Sequence, residues 1–214
     1  MTPKAGSPDL PALIAEVARD SYARGWMLGT SGNISAVIAR EPLRLAISAS
    51  GVDKGSLGPQ HILEVDEKGS VIDGLGRPSA ETLLHLAIIR TAGAGAVIHT
   101  HSVWTTILSD RYSSSGGVNI EGYEMLKGLR GVDTHQHSEW LPILDNSQDY
   151  GELSGAVERL LTRHNDSHGF LLRRHGLYTW GADLPEAKRH TEILEFLLEV
   201  RARTEFDAAS QQSP

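Results

Sequence analysis

The chain has 214 residues, 40% of them hydrophobic and 22% charged, which fits one globular domain able to bury a core without covalent staples. It contains no cysteine, and this excludes a disulfide scaffold, a thiolate metal site, an iron–sulfur cluster and a cysteine nucleophile. With 20 basic and 27 acidic residues the net charge is −7, a balance that argues against nucleic acid or an anionic membrane as partner.

In chain order, residues 1–8 form a polar tail with one cation and no apolar stretch, unlike a secretory signal. No apolar run approaches the ~20 residues that span a bilayer, so the expected location is the cytoplasm. Leu10 to Trp26 reads as an amphipathic helix, with Leu10, Leu13, Ile14, Val17, Ala18 and Tyr22 on one stripe, Asp9 as cap and Gly25 near its end. Strand character follows at 33–39, 43–50, 62–66 and 70–73. Ser79 to Arg90 is a helix with Ser79 as N-cap and an apolar stripe of Leu83, Leu84, Ala87 and Ile88. An apolar strand at 96–102 turns polar at its end, and 102–109 is helical. Helices at 151–164 and 185–204 flank a strand pair, 169–175 and 176–181, and a second polar tail covers about 207–214. Mixed strands and helices make this a single α/β domain, 1–214, with a central sheet.

The sharpest chemical signal is His99-Thr100-His101. Residues i and i+2 of a strand share a face, so both imidazoles leave the end of an apolar strand together. Two adjacent buried rings need a partner, and a divalent cation suits neutral imidazole. With ten histidines in the chain, one such pair by chance is not rare. A second, His135-Gln136-His137, lies in a polar stretch that reads as a solvated loop, and His164 and His168 flank a turn at Asn165-Asp166 and read as surface. A catalytic zinc ordinarily takes three protein ligands. The candidate for the third is His175, at a strand end before Gly176; a partly exposed strand-end histidine is an equal reading on spacing alone.

Three short hydroxyl- and glycine-rich loops, Gly29–Asn33, Ser48–Gly51 and Arg77–Glu81, can each offer backbone N–H groups to an anion. Any one of them is ordinarily a plain turn; together with a candidate metal they point to a phosphorylated substrate. There is no Walker motif and no G-x-G-x-x-G, which argues against nucleotide binding. For general acid–base work, Glu81 and Glu124 both qualify, and the residues alone do not separate them.

These pieces occur in a recognisable order: Gly-Thr-Ser-Gly-Asn-Ile-Ser at 29–35, Ser-Ala-Ser-Gly at 48–51, Pro-Ser-Ala-Glu at 78–81, His-Thr-His-Ser at 99–102 and Arg-Arg-His-Gly at 173–176. The chain resembles the class II aldolase/adducin superfamily over roughly residues 10–205. Within it, the segments 121–128 and 173–181 look most like the methylthioribulose-1-phosphate dehydratase branch of methionine salvage. The resemblance implies a three-layer α/β fold with a central, mostly antiparallel sheet flanked by helices. It implies a homotetramer with sites between adjacent subunits, and one Zn2+ per subunit on His99, His101 and His175. It implies a small phosphorylated sugar as substrate, held at Gly32, Asn33, Ser50, Gly51, Ser79 and Ala80, with Ala80 replacing a serine common in the aldolases.

In the dehydratase branch the acid/base falls on Glu124, and in the sugar-phosphate aldolases it falls on Glu81. A 2-ketose 1-phosphate carries an acidic proton on C3; its removal by a carboxylate and loss of the C4 hydroxyl as water gives a diketone. The competing expectations are a zinc-dependent sugar-phosphate aldolase or epimerase and a non-enzymatic adducin-like module; the module predicts missing histidine ligands, and all three are present.

Overall fold

The protein is described by a computed structural model over residues 9–211. Its strands are β1 (Asn33–Arg40), β2 (Leu43–Ser48), β3 (Ile62–Val65), β4 (Val71–Asp73), β5 (Ala96–Thr100), β6 (Gly117–Glu121), β7 (Ser138–Leu144), β8 (Gly169–Leu172) and β9 (Gly176–Gly181). Its helices are α1 (Leu10–Ala23), α2 (Thr82–Ala92), α3 (Val103–Arg111), α4 (Tyr150–Arg163) and α5 (Leu184–Gln211). The strands form one sheet in the order β4-β3-β2-β1-β5-β9-β8-β7-β6. Only the β7–β8 pairing is parallel.

Period-two alternation sorts the strands between two helical layers. Leu45, Ile47, Val97, Phe170 and Tyr178 face α2 and α4, where Leu84, Ile88, Leu153 and Val157 complete one core. Ile34, Ala36, Ala46, Ala96 and Ile98 face α1 and the start of α5. A third cluster joins α3 and α5 to β6–β9 through Leu108, Val118, Leu141, Leu177, Leu194 and Leu198. Each fully buried aliphatic side chain contributes roughly 1.5–3 kcal/mol. The result is the expected three-layer α/β fold with a mostly antiparallel sheet.

Several local expectations are corrected. The first helix stops at Ala23 rather than Trp26, because Gly25 turns left-handed at φ 79°. The second begins at Thr82 with Glu81, not Ser79, at the N-cap position and no side-chain cap. The Glu81 carboxylate is drawn elsewhere, and Ser79 Oγ instead accepts from the Glu81 N–H. Leu83 lies on the exposed side of α2, while Leu86 and Ile89 join its buried face, because α2 packs against both the sheet and α4. Strands β6 and β7 were not expected: β6 is a mixed-polarity edge strand, and β7 carries Pro142, a residue that ordinarily argues against a strand. The helix expected to end at 204 continues to Gln211, so residues 207–211 of the expected polar tail are helical. Residues 1–8 and 212–214 lie outside the described residues.

Candidate metal centre and anion pocket

The site starts from a row of residues in register across three strands: Asn33 on β1 opposite His99 on β5, and His99 opposite Tyr178 on β9. All point to the α2/α4 side. Tyr178 stacks on the His99 ring with centroids 3.9 Å apart, and Phe170 stacks on the far face of Tyr178 at 4.9 Å. The His99 ring is thereby held in one plane. Its Nδ1 donates to the Leu177 carbonyl at 3.0 Å, which leaves Nε2 as a bare lone pair facing the sheet end.

His101 emerges just past the strand, its N–H anchored on the Trp26 carbonyl at 2.7 Å. His175 arrives from the β8–β9 turn, where Arg174 is left-handed at φ 54°. Arg173 and Arg174, flanking it in sequence, both turn to Asp110 at 2.9 Å. Two glycines make the approach possible. A Cβ on Gly176 would stand 1.9 Å from the Thr100 carbonyl, and one on Gly32 would stand 2.7 Å from the His99 carbonyl.

The Nε2 atoms of His99 and His101 are 2.8 Å apart and those of His99 and His175 3.4 Å apart. Glu81 Oε1 lies 3.1 Å from His175 Nε2 and 3.6 Å from His99 Nε2. All four donor atoms lie within 4.8 Å of one another. Donors around a tetrahedral ion with bonds of about 2.0–2.1 Å are spaced roughly 3.4 Å apart, so the set fits a divalent cation. Burial, with His99 and His175 beside it, pushes His101 down to about 3, which keeps it a neutral ligand. Burial opposes the charge on Glu81, but the adjoining His99 and His175 rings outweigh it and hold the carboxyl well below the usual range.

A second chain of contacts fixes Glu81 from behind. Asn33 Nδ2 donates to Glu81 Oε2 at 2.6 Å. That orientation turns Asn33 Oδ1 toward His85 Nε2, while His85 Nδ1 meets Ser35 Oγ at 2.7 Å. One consistent proton order follows: the Ser35 hydroxyl donates to His85, His85 to Asn33, and Asn33 to Glu81. His85 is wholly buried and pushed down to about 3 by desolvation, so it is a neutral link. Reading the sequence missed His85; its signal was a histidine one helical turn after Glu81.

Beside the cluster lies a cavity of about 100 Å³ lined by Thr30, Ser31, Gly32, Asn33, Ser48, Ala49, Ser50, Lys54, Ser79, Glu81 and His101. The three hydroxyl-rich loops do converge. Of the residues named for the phosphate, Gly32, Asn33, Ser50 and Ser79 line it; Gly51 and Ala80 are exposed neighbours in the same loops. Lys54 was not anticipated.

Glu124 is placed differently. It sits at the start of the 3-10 turn Glu124–Gly128, exposed, paired with Lys127 at 2.7 Å and near His135 at 3.8 Å. It is outside the group of donors around His99. Of the other histidines, His135 lies in the exposed loop as expected. His168 does not lie free on the surface: its side chain is 13% exposed and bound to the buried Glu139 at 3.0 Å, with His137 on the same carboxylate at 2.9 Å.

Residues 12–202 match the family described as Class II Aldolase and Adducin N-terminal domain. Among curated relatives, the methylthioribulose-1-phosphate dehydratase of Methylococcus capsulatus is 43% identical over 193 residues, 90% of this chain and 92% of that protein. The enzyme of the same name from Marinobacter nauticus is 41% identical, covering 89% and 91%. Among solved structures, YgbL of Escherichia coli superposes with a TM-score of 0.72 at 26% identity, covering 89% of this chain and 87% of that one. The L-fuculose-1-phosphate aldolase of Thermus thermophilus shares the fold at a TM-score of 0.74 and 24% identity, covering 94% and 97%. No helix among the described residues is long and apolar enough to cross a membrane.

Proposed function

The chain belongs to the class II aldolase and adducin family, and from that premise we propose that it is a lyase removing water from 5-methylthioribulose 1-phosphate. The product is 2,3-diketo-5-methylthiopentyl 1-phosphate, and the step belongs to methionine salvage. One observation carries the reading: three imidazoles and Glu81 converge beside a phosphate-sized cavity in a chain 43% identical to a dehydratase of that name. A sugar phosphate is too polar to cross a bilayer unaided, which supports a cytoplasmic enzyme.

His99, His101 and His175 would hold one Zn2+ per subunit, three neutral imidazoles being a donor set that suits this metal. When bound, the cation supplies Lewis acidity to the oxygens of the ketose. The chain does the rest. Gly32, Asn33, Ser50 and Ser79, which line the cavity, would seat the phosphate, with Gly51 and Ala80 closing the same loops at its rim, and this fixes the distance from the phosphate to C3. A carboxylate takes the C3 proton, the C4 hydroxyl leaves with a proton as water, and the enol becomes the diketone.

We assign the proton transfers to Glu124. It is exposed, and its only ion-pair partners among the described residues are Lys127 and His135. Because Glu124 lies outside the donor cluster of its own chain, this assignment goes with the proposed homotetramer, in which adjacent subunits share sites. Glu81 is buried and held at both oxygens, by Asn33 and His175, whereas Glu124 is exposed with one close partner, Lys127.

A second reading draws on Glu81 itself: a carboxylate inside the donor cluster suits an aldolase or epimerase acting through the same cation. The test is incubation of the metal-loaded protein with 5-methylthioribulose 1-phosphate. Diketone absorbance without aldehyde release is expected, and aldehyde release selects the aldolase. Glu124→Gln should retain metal and fold and lose about 10²–10⁴-fold in turnover; near-normal turnover removes Glu124 from the mechanism.

A further inference from the structure

We propose that Lys54 is the cation by which the pocket selects a phosphate ester over the corresponding free sugar. This rests on the sugar-phosphate reading above and adds a residue that the recognised loops do not contain.

Lys54 is 1% exposed, a rare state for a lysine, and it lies in a short 3-10 turn rather than in a core element. Its Nζ donates to the Thr30 carbonyl at 3.1 Å and the Val52 carbonyl at 3.0 Å. An ammonium has three protons, and the third has no acceptor among the described residues. The same side chain lines the cavity and is its only Lys or Arg; Arg77, in the adjoining loop, is exposed and not part of the lining.

The charges facing this amine are Asp53 and Glu81, and desolvation outweighs both, holding its pKa below the ordinary lysine value. A dianionic phosphate seated in the cavity supplies the missing acceptor and the missing counter-charge together. Lys54 also shapes the backbone around it. Thr30 is left-handed at φ 70° between Gly29 at 61° and Gly32 at 70°, and Thr30, Ser31 and Gly32 line the cavity. The lysine holds the carbonyl of that strained residue.

Tethering and charge make different demands, and two substitutions separate them. Lys54→Met removes both. Lys54→Gln removes the charge and keeps a shorter side chain that still ends in an N–H donor. With metal-loaded protein, calorimetry follows binding of glycerol phosphate, and inhibition of turnover follows unphosphorylated methylthioribulose. Both variants should bind glycerol phosphate at least about tenfold more weakly, with inhibition by the free sugar held within about twofold.

Should Lys54→Gln bind glycerol phosphate as the parent does, the lysine is only a loop tether and the proposal falls. Equal weakening toward both ligands overturns it as well, since that pattern reports a distorted site. If Lys54→Met does not fold, Lys54→Gln alone carries the decision. A parent protein that binds no phosphate ester removes the sugar-phosphate reading itself, whereas a parent that binds it while both variants match removes only the role of Lys54.

Discussion

Two clusters of histidine around a buried glutamate stand on this sheet, and they are built on opposite principles. In the first, the Nε2 atoms of His99, His101 and His175 point at one another and at Glu81 Oε1. His99 spends its proton on Leu177, so its Nε2 meets the other donors only as a lone pair. In the second, Glu139 accepts from His137 Nε2 at 2.9 Å, from His168 Nδ1 at 3.0 Å and from the His168 backbone N–H at 2.9 Å. His168 Nε2 then reaches the Arg130 carbonyl at 2.9 Å, so both of its ring nitrogens donate and the ring is a cation. The first cluster is an open set of ligands; the second is a closed ion pair pinning β7 to the segment before β8. Composition does not distinguish them. The direction of the lone pairs does.

The largest expected effect comes from exchanging like for like between the two. His99→Ala should abolish stoichiometric metal and cut turnover on the order of a thousandfold, several kcal/mol of Lewis-acid stabilisation being lost. His168→Ala should leave metal content at the parent level. Metal analysis of both purified variants, with chelation and readdition on the parent, makes the measurement. Equal metal loss in the two would erase the distinction.

How far this contrast was legible in the sequence depends on the element. The pair His99/His101 was readable because a strand imposes its period on any two side chains two apart. His175 and Glu81 were open candidates on the residues alone, and the resemblance gave His175 and Asn33 their roles; the structure brings all three together. The face of α2 was misjudged because α4 covers a side that an isolated amphipathic pattern gives to solvent. Ser79 was misread as a cap because the competing demand on Glu81 comes from Asn33, 48 residues away. Lys54 and His85 were hard to read for a related reason: Lys54 meets backbone carbonyls and His85 meets the Asn33 amide and the Ser35 hydroxyl, and the one local hint was the spacing of His85 one turn after Glu81. His168 looked superficial because its partner Glu139 lies on a strand that the sequence pattern hides.

The closed pair makes the second prediction, on stability. Glu139 is 1% exposed, and removing its charge strands a largely buried cation, so Glu139→Gln should cost about 3–5 kcal/mol near pH 6. The pH dependence has two arms. Burial opposes the Glu139 charge, but His168 more than offsets it, so its pKa is lowered; that contribution is present above the unfolded value of 4.5 and is lost as pH falls through the folded one. Burial also opposes charge on His168, but Glu139 and the Arg130 carbonyl raise it; that contribution is full below the unfolded value of 6.5 and is lost as pH rises through the folded one. Urea unfolding of parent and variant at pH 6 and pH 9 should therefore show a gap that narrows at the higher pH. A gap independent of pH would mean that the pair is not ionic.

Glu195 sharpens the comparison because it is a buried carboxylate with no imidazole at all. It lies on α5, on the opposite face of the sheet from the metal ligands, accepting from the hydroxyl of Thr100, the residue between His99 and His101. Its second oxygen makes no hydrogen bond of good geometry among the described residues. Burial pushes this carboxyl up to about 7, against the pull of the Ser102 and Thr100 hydroxyls, whereas Glu81 and Glu139 are both lowered. The sign follows from linkage: a folded pKa above the unfolded 4.5 means that the native state binds the proton more tightly. Stability is then full at acid pH and declines as pH rises from 4.5 to about 7, by up to about 3 kcal/mol. Glu195→Gln keeps an acceptor for Thr100 and cannot ionise. It should match the parent at pH 5 and exceed it at pH 8, in denaturant unfolding of metal-saturated protein. A variant weaker than the parent at pH 8 would show that the ionised form has a partner in the folded chain, and the carboxylate would then belong with Glu139 rather than in a class of its own.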